Sequence, residues 1–531
     1  MPVRPEDLAS IYKTDPRDYQ SNDLLRSCLD PVHFALWEQG LGKSKRAIDQ
    51  AAYLFSRNLI DALLVLAPNG AHYNFVDNEL PKHMGVPHKA HAFDNNKDTG
   101  EHKEHAAHLR MTLEHDPDQL TILTISYPAL LKPSVVKVPD KGPDRDKAIS
   151  GLLYDLCKNR RVMVVGDELA TIKNPDGRQS IAARAVASMC RYRLGLEGVP
   201  VDQGPFDLYA TMLFGDPQFW IRHGIGSYKA FQGKFGVWES NDIKLYKLDE
   251  QTGVQVIRQR WDKETHTHVD AFAQRLVAYR NIDLLKRIIE PYVSRLTKKS
   301  AGLNLPDKIY KYHPFKLTRA QQKVYDDFKR DGMVDLHDGS LVTSPSSLTK
   351  SLRLLQICSG YLPADEDRAR LIEIDPGKNP RLDMLVEVVD QIREKGMIWA
   401  GFRPDRDKII DALGKRVVCY RSGDSDDQKK GAIEAWRAGE YQFILGHVAG
   451  GLAKSWTLTE GCHGVYYSNR ERHNPRKQSE DRMHRPGQWR SVNYHDLVSR
   501  GTDERNVIDN LIAKSDIAAE VLGDEKEVWL T

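Results

Sequence analysis

Along the first 200 positions, short runs of consecutive apolar residues alternate with longer stretches whose apolar residues recur every three or four. Val32-His33-Phe34-Ala35-Leu36-Trp37, Ala62-Leu63-Leu64-Val65-Leu66-Ala67, Leu120–Ser126 and Val162-Met163-Val164-Val165 are short and nearly continuous. Such runs predict strands of a parallel sheet buried on both faces. Between them Ile48, Ala51, Ala52 and Phe55 stand at i, i+3, i+4, i+7, and Ile149, Leu152, Leu153 and Leu156 share one helical face. Strand, helix, strand in succession is the mark of βα units. From about Gly215 to Pro376 the pattern turns to helical segments broken by Gly, Ser and Pro, as at residues 341–347. One alternating stretch there, residues 243–261, predicts a hairpin turning near Thr252-Gly253. The βα alternation resumes at Arg381, with a helix to Glu394, a strand at 397–402, a helix to Leu413 and a strand at 417–420. A helix around 432–436 and strands near Phe443, Val465 and Val492 follow. The expected fold class is α/β: two parallel-sheet lobes, residues 1–215 and 376–531, with helical insertions and a hinge at 216–375.

At 531 residues the chain has room for three or four compact units. With 40% hydrophobic and 28% charged residues it has the composition of a globular protein, not of a tail or a fibre. No stretch reaches the ~18–20 apolar residues of a membrane span; the best, 59–66, is short and carries Asp61. The start, Met1-Pro2-Val3-Arg4-Pro5-Glu6-Asp7, lacks the apolar core of a signal peptide, so an intracellular, cytoplasmic or nucleoid-associated protein is expected. The six cysteines lie far apart without a C-x-x-C pair, which fits buried thiols better than zinc or disulfides. A net charge of +3 means that any contact with nucleic acid must come from locally grouped basic residues.

Gly40-Leu41-Gly42-Lys43-Ser44 falls between a predicted strand and a predicted helix. A glycine-rich turn there can wrap phosphates with backbone N–H groups, while Lys43 reaches the terminal phosphates and Ser44 holds Mg²⁺. The full P-loop pattern asks for glycine at position 37, where this chain has Trp37. Asp167-Glu168 closes a predicted buried strand, the end at which a parallel sheet places ligand chemistry. The two can divide the work, Asp167 on the metal ion and Glu168 on the attacking water. In the second lobe, residues 478–488 read Q-S-E-D-R-M-H-R-P-G-Q, with Arg482 and Arg485 at i, i+3 on one predicted helical face. An arginine brought to a nucleotide on closure neutralises charge that develops during phosphoryl transfer. Lys and Arg outnumber acids seven to three between residues 469 and 490; such a run is usually a solvated face, but that does not explain the ordered Gln, His and Gly-Gln within it.

With these motifs in this order, the sequence resembles the SWI/SNF-type ATPases of helicase superfamily two, in the compact form found in bacteria and phages. Asp18-Tyr19-Gln20 resembles the Q motif, 40–44 motif I, Leu66-Ala67-Pro68 motif Ia and Thr124-Ile125-Ser126-Tyr127 motif Ib. Asp167-Glu168 followed by Ile172-Lys173-Asn174 is similar to the long motif II, and 478–488 to motif VI. Leu196-Glu197-Gly198-Val199-Pro200 stands where motif III belongs, Tyr292 to Lys298 and 305–308 resemble the inter-lobe segment, and Ala449-Gly450-Gly451 the start of motif V. The resemblance implies two RecA-like lobes and a DNA-dependent ATPase that moves on duplex DNA, gripping phosphates without regard to sequence, and remodels or displaces protein–DNA complexes. It implies ATP and Mg²⁺, with the nucleotide on Gln20, Gly40, Leu41, Gly42, Lys43 and Ser44, the metal on Ser44 and Asp167, and Lys43, Asp167, Glu168, Arg482 and Arg485 as catalytic groups. Gln20 would read the adenine edge. With 39 residues before Gly40 of motif I and a short tail after motif VI, a bare motor without reader domains is expected; a protein partner is left unknown.

Departures from the family pattern bear on coupling. Glu197 and Val199 replace both threonines of the family's T-G-T-P, and Leu169 and Ala170 follow the acidic pair where Ala and then His or Ser are usual. Ala453 takes a glycine position in motif V, and Trp456 breaks its Ile-Asn-Leu. Three rival readings follow: a nucleotide-gated DNA clamp with weak or no ATPase, an interaction protein built on the motor fold, and a strand-separating helicase. Two further signals stand apart from the motifs. Seven histidines lie between His83 and His115, including His102, His105 and His108; a polar insertion explains them better than a metal site. Phe231, Phe235 and Trp238 stand near Lys229 and Lys234, and core packing explains them better than base stacking.

Overall fold

The computed structural model describes residues 4–94, 103–140, 142, 147–244, 246–248, 255–257, 259–262, 267–270, 272–338, 340–344, 347–367, 369–469 and 473–526. By internal contacts the chain divides into two units. The first holds residues 1–36, 47–295 and 520–524; the second holds 37–46, 296–519 and 525–531.

The continuous apolar runs form strands as their pattern predicts: β1 (Val32–Trp37), β2 (Ala62–Ala67), β4 (Leu120–Ser126) and β5 (Val162–Asp167), with β3 (His88–Ala92) and β6 (Tyr192–Leu196) beside them. In the inserted stretch, helices Leu208–Gly215, Phe219–Arg222 and Tyr228–Phe235 are followed by strands: β7 (Gly236–Lys244), β8 (Tyr246–Leu248), β9 (Gln255–Ile257), β10 (Gln259–Asp262), β11 (Thr267–Asp270) and β12 (Phe272–Tyr279). β8 pairs antiparallel with β9, as the alternation predicts; Thr252 and Gly253, the expected turn, lie outside the described residues. β7 pairs with β12 and β10 with β11, so the insertion carries antiparallel ribbons as well as the expected helices. After helix Ile282–Ile289, β13 (Val293–Leu296) returns to the first sheet. Its order is β13-β1-β6-β5-β2-β4-β3. Register sets Leu196 of β6 opposite Ala35 of β1 on one side and Asp167 of β5 on the other, so the acidic pair stands near the end of β1 from which the glycine loop leaves.

One helical prediction needs correction. The helix expected around Ile149 begins only at Leu152, after Gly151 at φ +106°. Ile149 is half-exposed, while Leu153 and Leu156 are buried.

The second unit is built on β14 (Lys308–Lys316), β19 (Gly396–Trp399), β20 (Val417–Cys419), β21 (Phe443–Gly446), β22 (His463–Tyr466) and β23 (Val492–Arg500). Two small hairpins, β15 (Met333–Asp335) with β16 (Leu341–Thr343) and β17 (Tyr361–Pro363) with β18 (Leu371–Glu373), precede β19. The sheet order is β14-β23-β22-β19-β21-β20, and every pairing is parallel. Successive side chains of each strand enter opposite layers, Met397 and Trp399 with Ile444 and Tyr466, Ile398 with Phe443, Leu445 and Val465. Both faces are therefore apolar, which is why these strands read as unbroken runs.

Asp405, in the first turn of helix Arg403–Leu413, is wholly buried. Burial pushes its carboxyl up to about 7 against the opposing charge of Arg381. A folded-state value above the unfolded one means that this group favours the fold at low pH, and that its contribution is lost as pH rises from about 4 through 7. Asp405→Asn removes that loss. Its melting temperature is expected to draw ahead of the parent's as pH is raised from 5 to 8, by a few degrees in thermal scans; parallel Tm curves would refute it.

Candidate nucleotide site

The glycine loop needs its glycines. Gly40 and Gly42 sit at φ +86° and +77°, where a Cβ is strained, and a Cβ on Gly40 would meet Pro486 at 3.2 Å and Arg485 at 3.5 Å. Trp37, at the position of the missing first glycine, is the last residue of β1 and is fully buried; as part of a strand it does not require glycine. Lys43 opens helix Lys43–Ser56, and its Nζ donates to the carbonyls of Trp37 at 2.8 Å and Glu38 at 3.5 Å. The lysine head thus lies over the loop, beside the helix N-terminus that favours an anion. Leu41 is fully buried and Ser44 half-buried.

Within the second unit this loop meets the motif VI segment. The Lys298 backbone N–H donates to Glu38 Oε2 at 2.7 Å, and Lys477 stands 3.7 Å from Glu38 Oε1. Burial works against the Glu38 charge, but Lys477 and Lys298 outweigh it and hold the carboxyl below its usual range. Arg482 donates to Gln39 Oε1 through Nη2, to the Gln478 carbonyl at 3.1 Å and to the Trp456 carbonyl at 3.4 Å. Arg485 donates to Thr457 Oγ1 at 2.9 Å.

The expectation of both arginines on one helical face is corrected here. The helix is His473–Glu480, and Arg482 and Arg485 lie in the turns after it. The residue before Pro486 is disfavoured in α conformation, and Gly487 turns the chain at φ +103°. Arg482 is buried and Arg485 half-exposed, so the two differ in reach.

Nor are the described residues of the basic run simply a solvated face. Arg476 is buried, bonded to Glu480 (2.7 Å), Asp496 (2.5 and 3.1 Å) and Asn469 (2.8 Å), with its guanidinium 3.4 Å from the centre of the Tyr466 ring. Glu480 also accepts from Lys308 and Tyr310, and Asp481 from Lys298 at 2.5 Å. Gln488 ties the final turn, donating to the Gly461 carbonyl at 2.8 Å and accepting from the N–H groups of Trp489 and Arg490. Burial, with Lys308 and Lys298, pushes the His484 imidazole down to about 4.

In the first unit, Asp167 and Glu168 are half-buried at the carboxyl end of β5. Glu168 is left-handed, at φ +49° and ψ +60°, a state that costs a residue with a side chain roughly 1–2 kcal/mol. It persists because its neighbours hold it. Tyr127 Oη donates to the Asp167 carbonyl at 2.8 Å, and the Glu168 N–H to Asp167 Oδ1 at 3.1 Å. The Ala170 N–H donates to Glu197 Oε2 at 2.6 Å. Burial, with the charges of Asp167, Glu197 and Glu168, pushes the Tyr127 phenol up, so it stays a donor. Lys173 of the I-K-N triplet pairs with Asp202 (2.6 Å) and Asp207 (3.5 Å).

Sequence reasoning missed the positioning roles of Tyr127, Glu197, Asp202 and Asp207. For Tyr127 a signal was present, a tyrosine directly after a buried strand. Gln20 is buried at the start of helix Asp18–Ser27, where its Oε1 caps the Arg17 N–H at 2.9 Å.

His105 and His108, on helix Lys103–Leu113, reach His91 of β3: His91 and His108 bring their Nδ1 atoms to 2.7 Å, and His105 lies edge-on to His91. His102 lies outside the described residues, among which no group of three or more His, Cys, Asp or Glu could hold a metal ion. Phe231 and Phe235 are core, and Trp238 stacks on Phe206. None of the six cysteines is in a disulfide, and Cys157 and Cys190 approach to 3.6 Å. No helix among the described residues is long and apolar enough to cross a membrane.

The fold and these motifs define a two-sheet α/β protein with a glycine loop and an acidic pair at strand ends. The SNF2-related domain family matches residues 37–360, and the chain belongs to that family. The putative ATP-dependent helicase/translocase YwqA of Bacillus subtilis is 23% identical over 376 residues, 69% of this chain and 36% of that protein. The chromatin structure-remodeling complex subunit snf21 of Schizosaccharomyces pombe is 24% identical over 433 residues, 73% of this chain and 33% of that protein. The chain thus spans about a third of the length of these relatives. The structure of the Sulfolobus solfataricus SWI2/SNF2 ATPase core in complex with dsDNA aligns with 99% of this chain and 100% of its own, at 19% identity and a TM-score of 0.38.

Proposed function

We propose that this protein is a DNA-dependent ATPase that translocates on duplex DNA and remodels or displaces protein–DNA complexes. The observation that carries the reading is the Asp167-Glu168 pair, with Glu168 held left-handed, at the end of β5, which a single strand, β6, separates from β1, the strand that opens the glycine loop. Lys43 would hold the β- and γ-phosphates of ATP, with backbone N–H groups of the 40–44 loop around them and Gln20 at the adenine edge. Ser44 and Asp167 would each offer Mg²⁺ the hard oxygen donor that suits it, and each is half-buried. The ion, when bound, supplies neutralisation of phosphate charge. Glu168 orients the attacking water and takes its proton, and Arg482 and Arg485 stabilise the charge that develops on the transferred group. The working segments are residues 1–215 and 376–531 as the bulk of the motor lobes, with 216–375 as insertion and hinge that also lends one strand, β13 or β14, to each sheet.

Family membership and relatives named as helicase/translocase and remodelling subunit support movement on DNA. A grip on phosphates makes binding independent of sequence and steeply dependent on salt. The test is steady-state ATP hydrolysis without nucleic acid, with single-stranded DNA and with duplex DNA. Duplex DNA is expected to raise kcat tenfold or more, and raising salt from 50 to 200 mM to abolish most of that stimulation. Hydrolysis indifferent to duplex DNA would favour the nucleotide-gated clamp, the reading that Glu197 and Val199 in place of threonines motivate.

A further inference from the structure

Glu197 stands at the end of β6, between the ends of the strands that carry motifs I and II. Its backbone N–H donates to the Ala35 carbonyl of β1 at 3.2 Å. Its side chain is buried and turned toward the motif II side: Oε2 accepts from the Ala170 N–H at 2.6 Å, and Oε1 accepts from Gly198 and Val199, both at 2.8 Å. A single carboxylate therefore fastens the turn after the acidic pair to the segment after β6. On the other flank Tyr127, fully buried, fastens the Asp167 carbonyl. Between these two fastenings lies Glu168, the residue whose backbone is left-handed.

We infer that Glu197 is a positioning residue for Glu168: its carboxylate holds the acidic pair in hydrolytic geometry and ties it to the segment that follows β6. The inference rests on the reading of Asp167-Glu168 as the hydrolytic pair. A threonine could not do the same work. Its hydroxyl offers one oxygen close to the backbone, whereas the glutamate presents two acceptor oxygens farther out and serves three amides in two segments. The replacement of threonine by Glu197 is in this light a substitute fastening, and the family residue placed here should fail.

Glu197→Gln keeps the size of the side chain but must turn an NH₂ toward backbone N–H groups, breaking part of the clamp. In the full chain it is expected to lower kcat for ATP at least tenfold with KM for ATP within twofold, and to speed amide exchange at Ala170, Gly198 and Val199. Glu197→Thr is expected to fall as far. A kcat within twofold of the parent in Glu197→Gln, a full restoration by threonine, or unchanged amide exchange would each overturn the inference. A parent chain that does not hydrolyse ATP overturns the reading of the site and this inference with it; a parent that hydrolyses beside an unaffected Glu197→Gln overturns the inference alone. Should the glutamine variant not fold, Tyr127→Phe reads the opposite fastening. It removes one hydrogen bond and keeps the ring; a tenfold lower kcat at unchanged KM supports the two-ended clamp, and an unchanged kcat refutes it.

Discussion

Glu168→Gln is expected to lower ATP hydrolysis at least 100-fold and to leave nucleotide binding within a few-fold of the parent. The carboxamide has the size of the carboxylate but cannot take a proton from water, and a positioned general base is worth about 10²–10⁴ in rate. The left-handed backbone at this residue is held by Tyr127 and Glu197, neither of which touches the Glu168 side chain in the bonds that pin the turn, so the exchange leaves the turn in place. The loss should fall in kcat, because in the proposed reading the group acts on the transferring state and not on bound nucleotide. Lys43→Ala should behave in the opposite way. In the proposed reading Lys43 would meet the phosphates in both ground and transition states, so its loss should raise KM and weaken nucleotide binding as well. Steady-state kinetics beside titration with a fluorescent nucleotide separates the two. A Glu168→Gln variant that retains more than a tenth of the parent kcat would remove Glu168 from the role of base.

What could be read from the sequence was decided by how locally each feature is encoded. β1, β2, β4 and β5 lie in the interior of a parallel sheet, so nearly every side chain is apolar and the run declares itself. β3 is an edge strand, and His88-Lys89-Ala90-His91-Ala92 reads as polar insertion because an edge position is half solvated. The glycine loop and the acidic pair were legible because their chemistry is carried by consecutive residues. The clamps around them were not. Tyr127 reaches Asp167 across 40 positions, and Ala170 reaches Glu197 across 27. The i, i+3 spacing of Arg482 and Arg485 suggested a shared helical face, yet the helix ends at Glu480, before either arginine is reached. Local spacing is evidence of a face only where the helix persists.

The acidic members of motif VI change what its basic residues do. Read as a string, Glu480 and Asp481 dilute a positive run; in the fold they are among its most buried residues, each held by lysines from a distant segment. Arg476 is consumed in the same way by Glu480 and Asp496. Of the arginines in the segment, Arg485 keeps a half-exposed position, and it lies against Gly40 of the loop. That placement makes Arg485 the stronger candidate for contact with a phosphate, and it makes Arg482, bonded to Gln39, the residue that sets the loop.

Lys298→Met is expected to destabilise the second unit by about 3–5 kcal/mol, the usual effect of removing one partner from a buried pair. Lys298 is buried, with Nζ bonded to Asp481 at 2.5 Å and to the His484 carbonyl at 2.6 Å. Burial alone would raise the Asp481 carboxyl, but the charges of Lys298, Lys308 and Lys477 hold it well below its usual range. A depressed carboxylate contributes stability above its ordinary value of 3.8, and that contribution fades as pH falls from there toward the depressed value. In Lys298→Met the nearest cation is gone, the carboxylate stays buried, and the acid limb of the stability profile should become shallower because less stabilisation remains to be lost. The backbone N–H that Lys298 gives to Glu38 survives the exchange, so the glycine loop keeps that fastening while motif VI loses its own. Lys298→Met with Asp481→Leu removes both charges, and it should recover most of the loss if the penalty comes from a stranded carboxylate. Urea unfolding at pH 7 measures both. A single variant within 1 kcal/mol of the parent would show that Lys308 and Lys477 suffice for Asp481, and a double variant no better than the single would place the loss in packing instead of charge.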